Sequence, residues 1–333
     1  MEYGKLSPAA LQRLIFTRLG TPRTEVVNGA AVGEDSAILD LGGDWVVASC
    51  DPITGTTTDL GGLAVHVSCN DIAANGASPV GVLLTLLLPL GTPETSIAEI
   101  MDGASEACRR LGIEIVGGHT ELTPAVVQPV AVATALGRAR PGSPIRSAGA
   151  LPGFQVIMTK GAGLEGTSIL AHDFADELGQ SLGVELVSQA QALRDQISVV
   201  REAAIAAAHG AVAMHDVTEG GLLGAVYELA TASGTGITLW REKILIRPET
   251  AAICCYFEID PLRLISSGTL LIVAPDGLRV IEALRRAEIP CAIIGEVTRG
   301  ETVLVEQGES HPLAAPESDE LWRFLASRRP AGG

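Results

Sequence analysis

Hydrophobic and polar positions change rhythm repeatedly along the chain, and each change predicts an element. Residues 45–50 form a short apolar segment, and Asp51-Pro52 followed by Thr54-Gly55 predicts that a strand stops there and a loop opens. Residues 62–74 are small and apolar with no clear period. They predict a buried helix, stopped by Asn75-Gly76, two residues that tolerate the left-handed conformation. Residues 80–88 predict a buried strand. Thr92-Pro93-Glu94 then offers an N-cap, a proline at the first helical position and an early acid, and Ile97, Ile100, Met101, Ala104 and Cys108 follow at helical spacing up to Gly112. Residues 113–116 and 126–136 predict two further strands, and residues 138–153, rich in Pro, Gly and Ser, a linker.

The pattern restarts with a strand at 154–159, the glycine loop Gly161-Ala162-Gly163 and a helix from about Glu165. Alanine-rich or amphipathic helices follow, interrupted by a short strand at 212–214 and the loop His215-Asp216-Val217-Thr218-Glu219-Gly220-Gly221. Strands at 269–273 and 291–294 flank a helix at 278–287. The chain therefore predicts an α+β protein in two halves.

Its 333 residues suit about two domains. Hydrophobic residues make up 47% and charged residues 19%, which excludes disorder for most of the chain. Asp and Glu outnumber Lys and Arg by enough to leave a net charge of −16, which opposes non-specific attraction to nucleic acid or an anionic membrane. Aromatic residues, at 3%, leave little material for base-stacking platforms. The longest apolar run, 80–90, is too short to span a bilayer. The first residues lack the pattern of a secretory signal, so a cytoplasmic location is expected. Six cysteines without a C-x-x-C pair indicate neither a disulfide scaffold nor a structural zinc site, and most are expected to be buried.

Acids stand beside glycine or at element ends in Gly33-Glu34-Asp35-Ser36, Asp51-Pro52, Asn70-Asp71 and His215-Asp216 with Glu219. Such aspartates make turns and caps, and they also make the oxygen ligand set that Mg²⁺ takes together with water and phosphate. Asp71 stands apart. Inside a small, apolar helix a carboxylate costs free energy unless it is paired or binds a cation. Gly161-Ala162-Gly163-Leu164-Glu165-Gly166 spells G-x-G-x-x-G after a strand, but the following residues, 176–195, are polar and helical and lack the second strand of a dinucleotide-binding unit. The loop still offers backbone N–H groups to a phosphate, with Lys160 able to add a point charge. Gly117-Gly118-His119-Thr120-Glu121 reads equally as a turn with a solvated histidine or as a close approach of backbone to a bound group. His66, His172, His209 and His311 are expected to be structural or surface residues.

Taken in order, Gly33-Glu34-Asp35-Ser36-Ala37-Ile38-Leu39, Asp51-Pro52-Ile53-Thr54-Gly55, Asn70-Asp71-Ile72-Ala73-Ala74-Asn75-Gly76-Ala77-Ser78-Pro79, Val116-Gly117-Gly118-His119-Thr120-Glu121 and His215-Asp216-Val217-Thr218-Glu219-Gly220-Gly221-Leu222 resemble the aminoimidazole ribonucleotide (AIR) synthetase superfamily. The resemblance covers nearly the whole chain. Within the superfamily, the Gly-Gly-His-Thr-Glu and Asp-Val-Thr-Glu-Gly-Gly signatures are similar to the hydrogenase maturation factors of the HypE type, and Ser68-Cys69-Asn70-Asp71-Ile72-Ala73-Ala74 to thiamine-monophosphate kinase.

This resemblance implies a two-domain α+β fold, with an AIR-synthetase-like N-terminal domain at 1–145 and a C-terminal domain at 146–333. The first would share a β-barrel with a second subunit in a homodimer. ATP and Mg²⁺ are the implied cofactors. Position by position, Asp35, Asp51, Asp71 and Asp216 would be metal and phosphate carboxylates, while Thr54, Asp71, Gly118, Thr120, Lys160, Gly161 and Gly163 would lie at the nucleotide. His119, Glu121 and Asp216 would be the catalytic groups. The implied reaction is activation of an oxygen, on a small substrate or a carrier-bound group, by phosphoryl transfer from ATP. Three alternatives remain open: a nucleotide-binding assembly partner of low turnover, a small-molecule kinase like thiamine-monophosphate kinase, and an NAD(P)-dependent enzyme resting on residues 161–166. The sequence ends Arg329-Pro330-Ala331-Gly332-Gly333 without the cysteine that carries the carbamoyl group in such maturation factors, so the carrier step is expected to lie elsewhere. Cys254, Cys255 and Cys291, expected to be buried with raised pKa values, would not replace it.

Overall fold

The chain opens with a short helix, α1 (Pro8–Leu14), whose N-cap Ser7 accepts the N–H of Ala10 through its hydroxyl. The computed structural model describes residues 6–141, 144–315 and 318–328, so the Pro-Ala-Gly-Gly tail lies outside the described residues. Two units result. One comprises Arg23–Gly29 and Asp35–Pro144; the other holds the residues from Ile145 onward, residues 6–22 and Ala30–Glu34.

The first unit contains β1 (Val26–Asn28), β2 (Ala37–Leu39), β3 (Trp45–Ile53), α2 (Leu60–Ala74), β4 (Ser78–Leu88), α3 (Glu94–Leu111), β5 (Glu114–Leu122) and β6 (Val130–Ala139). Its sheet runs β1-β2-β3-β6-β4-β5, antiparallel throughout except for the parallel β4–β5 pair. Helix α2 is buried along almost its whole length, which explains the missing period: a helix enclosed on all sides needs no polar stripe. Gly61 lets α3 come close, since a Cβ there would stand 1.9 Å from the Ile100 carbonyl oxygen. Helix α3 shows the expected stripe, with Ile100, Ala104 and Cys108 buried, and ends at Gly112 with φ 68°. Its N-cap is Pro93, and the Thr92 hydroxyl donates to the Pro89 carbonyl at 2.7 Å rather than capping the helix.

Three expectations need correction. Strand β3 runs through Asp51-Pro52 to Ile53, because β2 pairs only as far as Ala48 and the proline needs no donor on that open side. The Gly117–Glu121 segment continues β5 rather than turning away from it, and β6 begins at Val130. Strand β4 is buried on one face only: Val82, Leu84, Leu86 and Leu88 are enclosed, while Val80 and Leu83 are exposed.

The second unit contains β7 (Gln155–Thr159), α4 (Leu164–Asp173), α5 (Ala175–Leu182), α6 (Val184–Gln191), α7 (Val200–Ala208), β8 (Ala213–Val217), α8 (Gly221–Ser233), β9 (Gly236–Trp240), α9 (Pro248–Phe257), β10 (Thr269–Ala274), α10 (Gly277–Arg286), β11 (Cys291–Thr298), β12 (Val303–Glu306), β13 (Glu309–Pro312) and α11 (Glu320–Arg328). The sheet order is β13-β12-β9-β11-β7-β10-β8. Val156 and Met158 of β7, Leu222, Val226 and Leu229 of α8, and Leu271 and Val273 of β10 share one core. A second core joins helices: Ile169 and Leu170 of α4, Ile253 and Phe257 of α9, and Leu321 and Phe324 of α11. Among the described residues no helix is long and apolar enough to cross a membrane.

Candidate functional site

In the N-terminal unit, β3 and α2 bring two of the expected carboxylates together. Ser49 and Asp51 project from the β3 face that also buries Val47 and Ile53, and Asp71 comes from α2. The Ser49 hydroxyl lies within hydrogen-bond distance of Asp71 Oδ2, and 3.1 Å from Asp51 Oδ2. A hydroxyl has one hydrogen and can donate to only one of them. Both carboxylates converge on this one hydroxyl. Asp35 stands two residues ahead of Ala37, which pairs with Ala48 of β3, and is half-buried. The Ser49, Asp51 and Asp71 side chains that meet here offer oxygen alone, as a hard divalent ion requires. Thr54 follows β3 and is exposed, and its carbonyl accepts from Gln128 Nε2 at 2.8 Å.

His119 and Glu121 sit elsewhere. They share one face of β5, their side chains 3.1 Å apart, opposite Thr85 and Leu87 of β4. This face is not the helix-covered one that carries Ser49 and Asp51, and β3 and β5 are separated by β6 and β4, roughly 14 Å at ordinary strand spacing. One protomer therefore does not bring His119 and Glu121 to Asp51 and Asp71. Gly118 has a structural reason of its own: a Cβ there would fall 1.8 Å from the Leu84 carbonyl oxygen. Thr120 is exposed on the same edge strand.

In the C-terminal unit, β8 extends through His215 and Asp216, which the sequence placed in a loop. Both are buried, and His215 Nε2 lies 3.1 Å from Glu228 Oε2 of α8. That pairing spans residues 13 apart and leaves no local sequence signal. The two glycines that follow are needed by the fold: Gly220 and Gly221 have φ 88° and 63°, and a Cβ on Gly221 would stand 2.7 Å from the Leu262 carbonyl oxygen.

The expected phosphate loop is enclosed by its own chain. Lys160, Gly161, Ala162 and Gly163 are all buried. The N–H groups of Gly161, Ala162, Leu164 and Gly166 donate to Thr159 O, Leu245 O, Ser266 Oγ and Ile265 O. The Lys160 ammonium is 2.7 Å from Glu202 Oε1 and donates to the carbonyls of Gln196 and Ser198. Burial pushes this lysine below its ordinary pKa, against the opposing pull of Glu202. Its three hydrogens have acceptors, and the Gly161 N–H is taken up within the chain as well.

The two units correspond to the two halves of a known architecture. Residues 33–139 match the family model of the AIR synthase related protein N-terminal domain, and residues 152–306 its C-terminal domain. The carbamoyl dehydratase HypE of Azotobacter vinelandii is 30% identical over 289 residues, covering 82% of this chain and 81% of that one. The chain belongs to the HypE family of AIR synthase related proteins. The family is one of enzymes, and its solved members share this fold. A hydrogenase maturation protein HypE in complex with ATP superposes with a TM-score of 0.68 at 22% identity, covering 96% of this chain and 97% of its own. The HypE–HypF complex gives 0.69 at 21%, covering 86% and 94%. Thiamine-monophosphate kinase of Aquifex aeolicus has the same fold, at 0.66 and 19%, covering 83% and 92%.

Proposed function

We propose that the protein is an ATP-using dehydratase that converts a carbamoyl-type amide into a nitrile. An amide oxygen is a poor leaving group. Transfer of the γ-phosphoryl group of ATP to that oxygen releases ADP and turns the C–O bond into one that breaks with departure of phosphate. The amide nitrogen gives up its two protons as the C≡N bond forms, so one amide and one ATP yield one nitrile, one ADP and one phosphate. The protein's part is to hold the two reactants in line and to offset charge on the phosphates.

The observation that carries this reading is the pair of carboxylates, Asp51 and Asp71, held against one serine hydroxyl. Their oxygens fit Mg²⁺, which when bound would neutralise phosphate charge, and Asp35, two residues ahead of β2, is proposed as a further ligand. Asp71 is fixed by its buried helix and Ser49 by the central strand, so the acids are oriented before ligand arrives. In the second unit, Asp216, held in β8 beside the His215–Glu228 pair, is the buried carboxylate proposed to act in nucleotide binding or proton transfer. The relatives' names as carbamoyl dehydratases, and a HypE solved with ATP, support the same chemistry for this chain.

The active form proposed is a homodimer with ATP and Mg²⁺ as cofactors. Leu83, Thr85 and Leu87 of β4 share a face that α2 and α3 leave uncovered, and β5 ends the sheet with an open edge. A second copy covering that face would close the sheets into a shared barrel and enclose His119 and Glu121. The carbamoyl group would arrive on a small molecule or on a partner protein, as the HypE–HypF complex suggests by analogy. The test is incubation with ATP, Mg²⁺ and an S-carbamoylated peptide. Phosphate release with loss of one water from the peptide mass supports the reading, and ATP binding without either product contradicts it.

A further inference from the structure

Helix α11 begins beyond residue 306, where the match to the C-terminal family domain ends, yet it is built into the second unit along its whole length. Leu321 and Phe324 are buried in the helical core, Phe324 packs on Phe174 and Phe257, and the Arg328 guanidinium lies 5.2–5.6 Å from all three rings. At its start, Asp319 reaches back 99 residues. Its Oδ2 accepts the Gly220 N–H at 2.6 Å, while Oδ1 accepts the N–H of Ile265 at 3.2 Å and of Leu321 at 2.8 Å. One turn on, Trp322 Nε1 donates to Glu219 Oε1 at 2.8 Å.

The two loops so joined are bonded to each other and to the glycine segment. The Ser266 N–H donates to the Thr218 carbonyl, and the Gly166 N–H to the Ile265 carbonyl. The Leu164 N–H donates to the Ser266 hydroxyl. We propose that Asp319 is a positioning residue: its carboxylate splints loop 218–221 to loop 265–267, and so fixes the end of β8 that carries Asp216. This rests on the proposed role of Asp216 at the nucleotide. The carboxylate is 1% exposed, and three backbone donors on one buried acid exceed what a helix N-cap needs. Glu219 and Glu165 are the acids facing this junction, and Glu320, Arg323 and Arg263 lie along its outer side.

Asp319→Asn tests it, because an asparagine that keeps its oxygen on Ile265 and Leu321 sets an NH₂ against the Gly220 N–H. Calorimetric titration with Mg²⁺ and ATP, and amide hydrogen exchange, are run on wild type and variant. The expected result is a roughly tenfold weaker ATP affinity at unchanged stoichiometry, with faster exchange at Gly220 and Ile265 together. A reduced stoichiometry at unchanged affinity, which partial unfolding gives, overturns the proposal, and so does unchanged exchange. Trp322→Phe keeps the helix packed and removes only the bond to Glu219; it is expected to weaken ATP severalfold, and unaltered affinity there with a misfolded Asp319→Asn also overturns it. Wild-type protein that binds no ATP would instead refute the reading of the site, and the exchange data then decide whether the splint exists.

Discussion

Asp71 on α2 and Ser49 on β3, 22 positions apart in the chain, meet and join a carboxylate in an otherwise apolar helix to the central strand of the first sheet. With Asp51 on the same hydroxyl, this junction brings two carboxylates together.

Asp71→Asn follows directly. Removing one of two neighbouring negative charges while keeping the side-chain shape leaves the unliganded protein as stable as wild type or slightly more so, as active-site acids often do. The rise in melting temperature with Mg²⁺ and ATP is expected to disappear. Thermal unfolding with and without ligand measures both, and a variant still stabilised as strongly as wild type would return Asp71 to a purely structural role.

The half-uncovered face of the first sheet predicts association. Light scattering at micromolar concentration is expected to give the mass of two chains, and a single-chain mass would remove the shared barrel from the account.

Cysteine reactivity divides by burial. Cys69, Cys108, Cys254 and Cys291 are buried, and burial pushes the Cys69 and Cys254 thiols up to about 12, whereas Cys50 and Cys255 are exposed. The expectation that Cys255 would be buried is therefore corrected. Alkylation of the folded protein followed by mass spectrometry is expected to label Cys255 and to spare Cys69, Cys108, Cys254 and Cys291. Modification of Cys254 at a matching rate would contradict the packing of α9.

Legibility in the sequence followed the range of the physics. Asp71 stood out because a charge in an apolar helix is anomalous within one window of sequence, and the order of the glycine-acid motifs identified the superfamily across both halves. Gly117-Gly118 misled, since glycine required by close backbone approach to Leu84 looks the same as glycine in a turn. His215 and Asp216 read as loop residues because both are polar, although their strand is enclosed on all five residues. The glycine loop showed its donors, but not the acceptors at Leu245, Ile265 and Ser266 that take them up. The long-range role of Asp319 has no local signal, because Ile265 and Gly220 lie 54 and 99 residues away.

The buried Asp319 also gives a pH signature. Burial pushes its carboxyl up to about 7, against the pull of its three backbone donors, whereas an unfolded aspartate titrates near 3.9. Between those values the folded protein keeps a proton that the unfolded chain releases, so this group's contribution to stability falls as pH rises from about 4 to 7 and is level above. The stability difference between wild type and Asp319→Asn is expected to shrink over that window by up to 3–4 kcal/mol, on the order of three pKa units. Denaturant unfolding across pH 4–8 measures it, and a constant difference would contradict the assignment.

The central claim is that ATP phosphorylates the amide oxygen, and oxygen labelling tests it most directly. A peptide S-carbamoylated with ¹⁸O at its carbonyl is incubated with the protein, ATP and Mg²⁺, and the released phosphate is analysed by mass spectrometry. The account predicts one ¹⁸O in each phosphate formed with nitrile, since the C–O bond breaks and the O–P bond persists. Phosphate free of label, released from ATP by water alone, would contradict it.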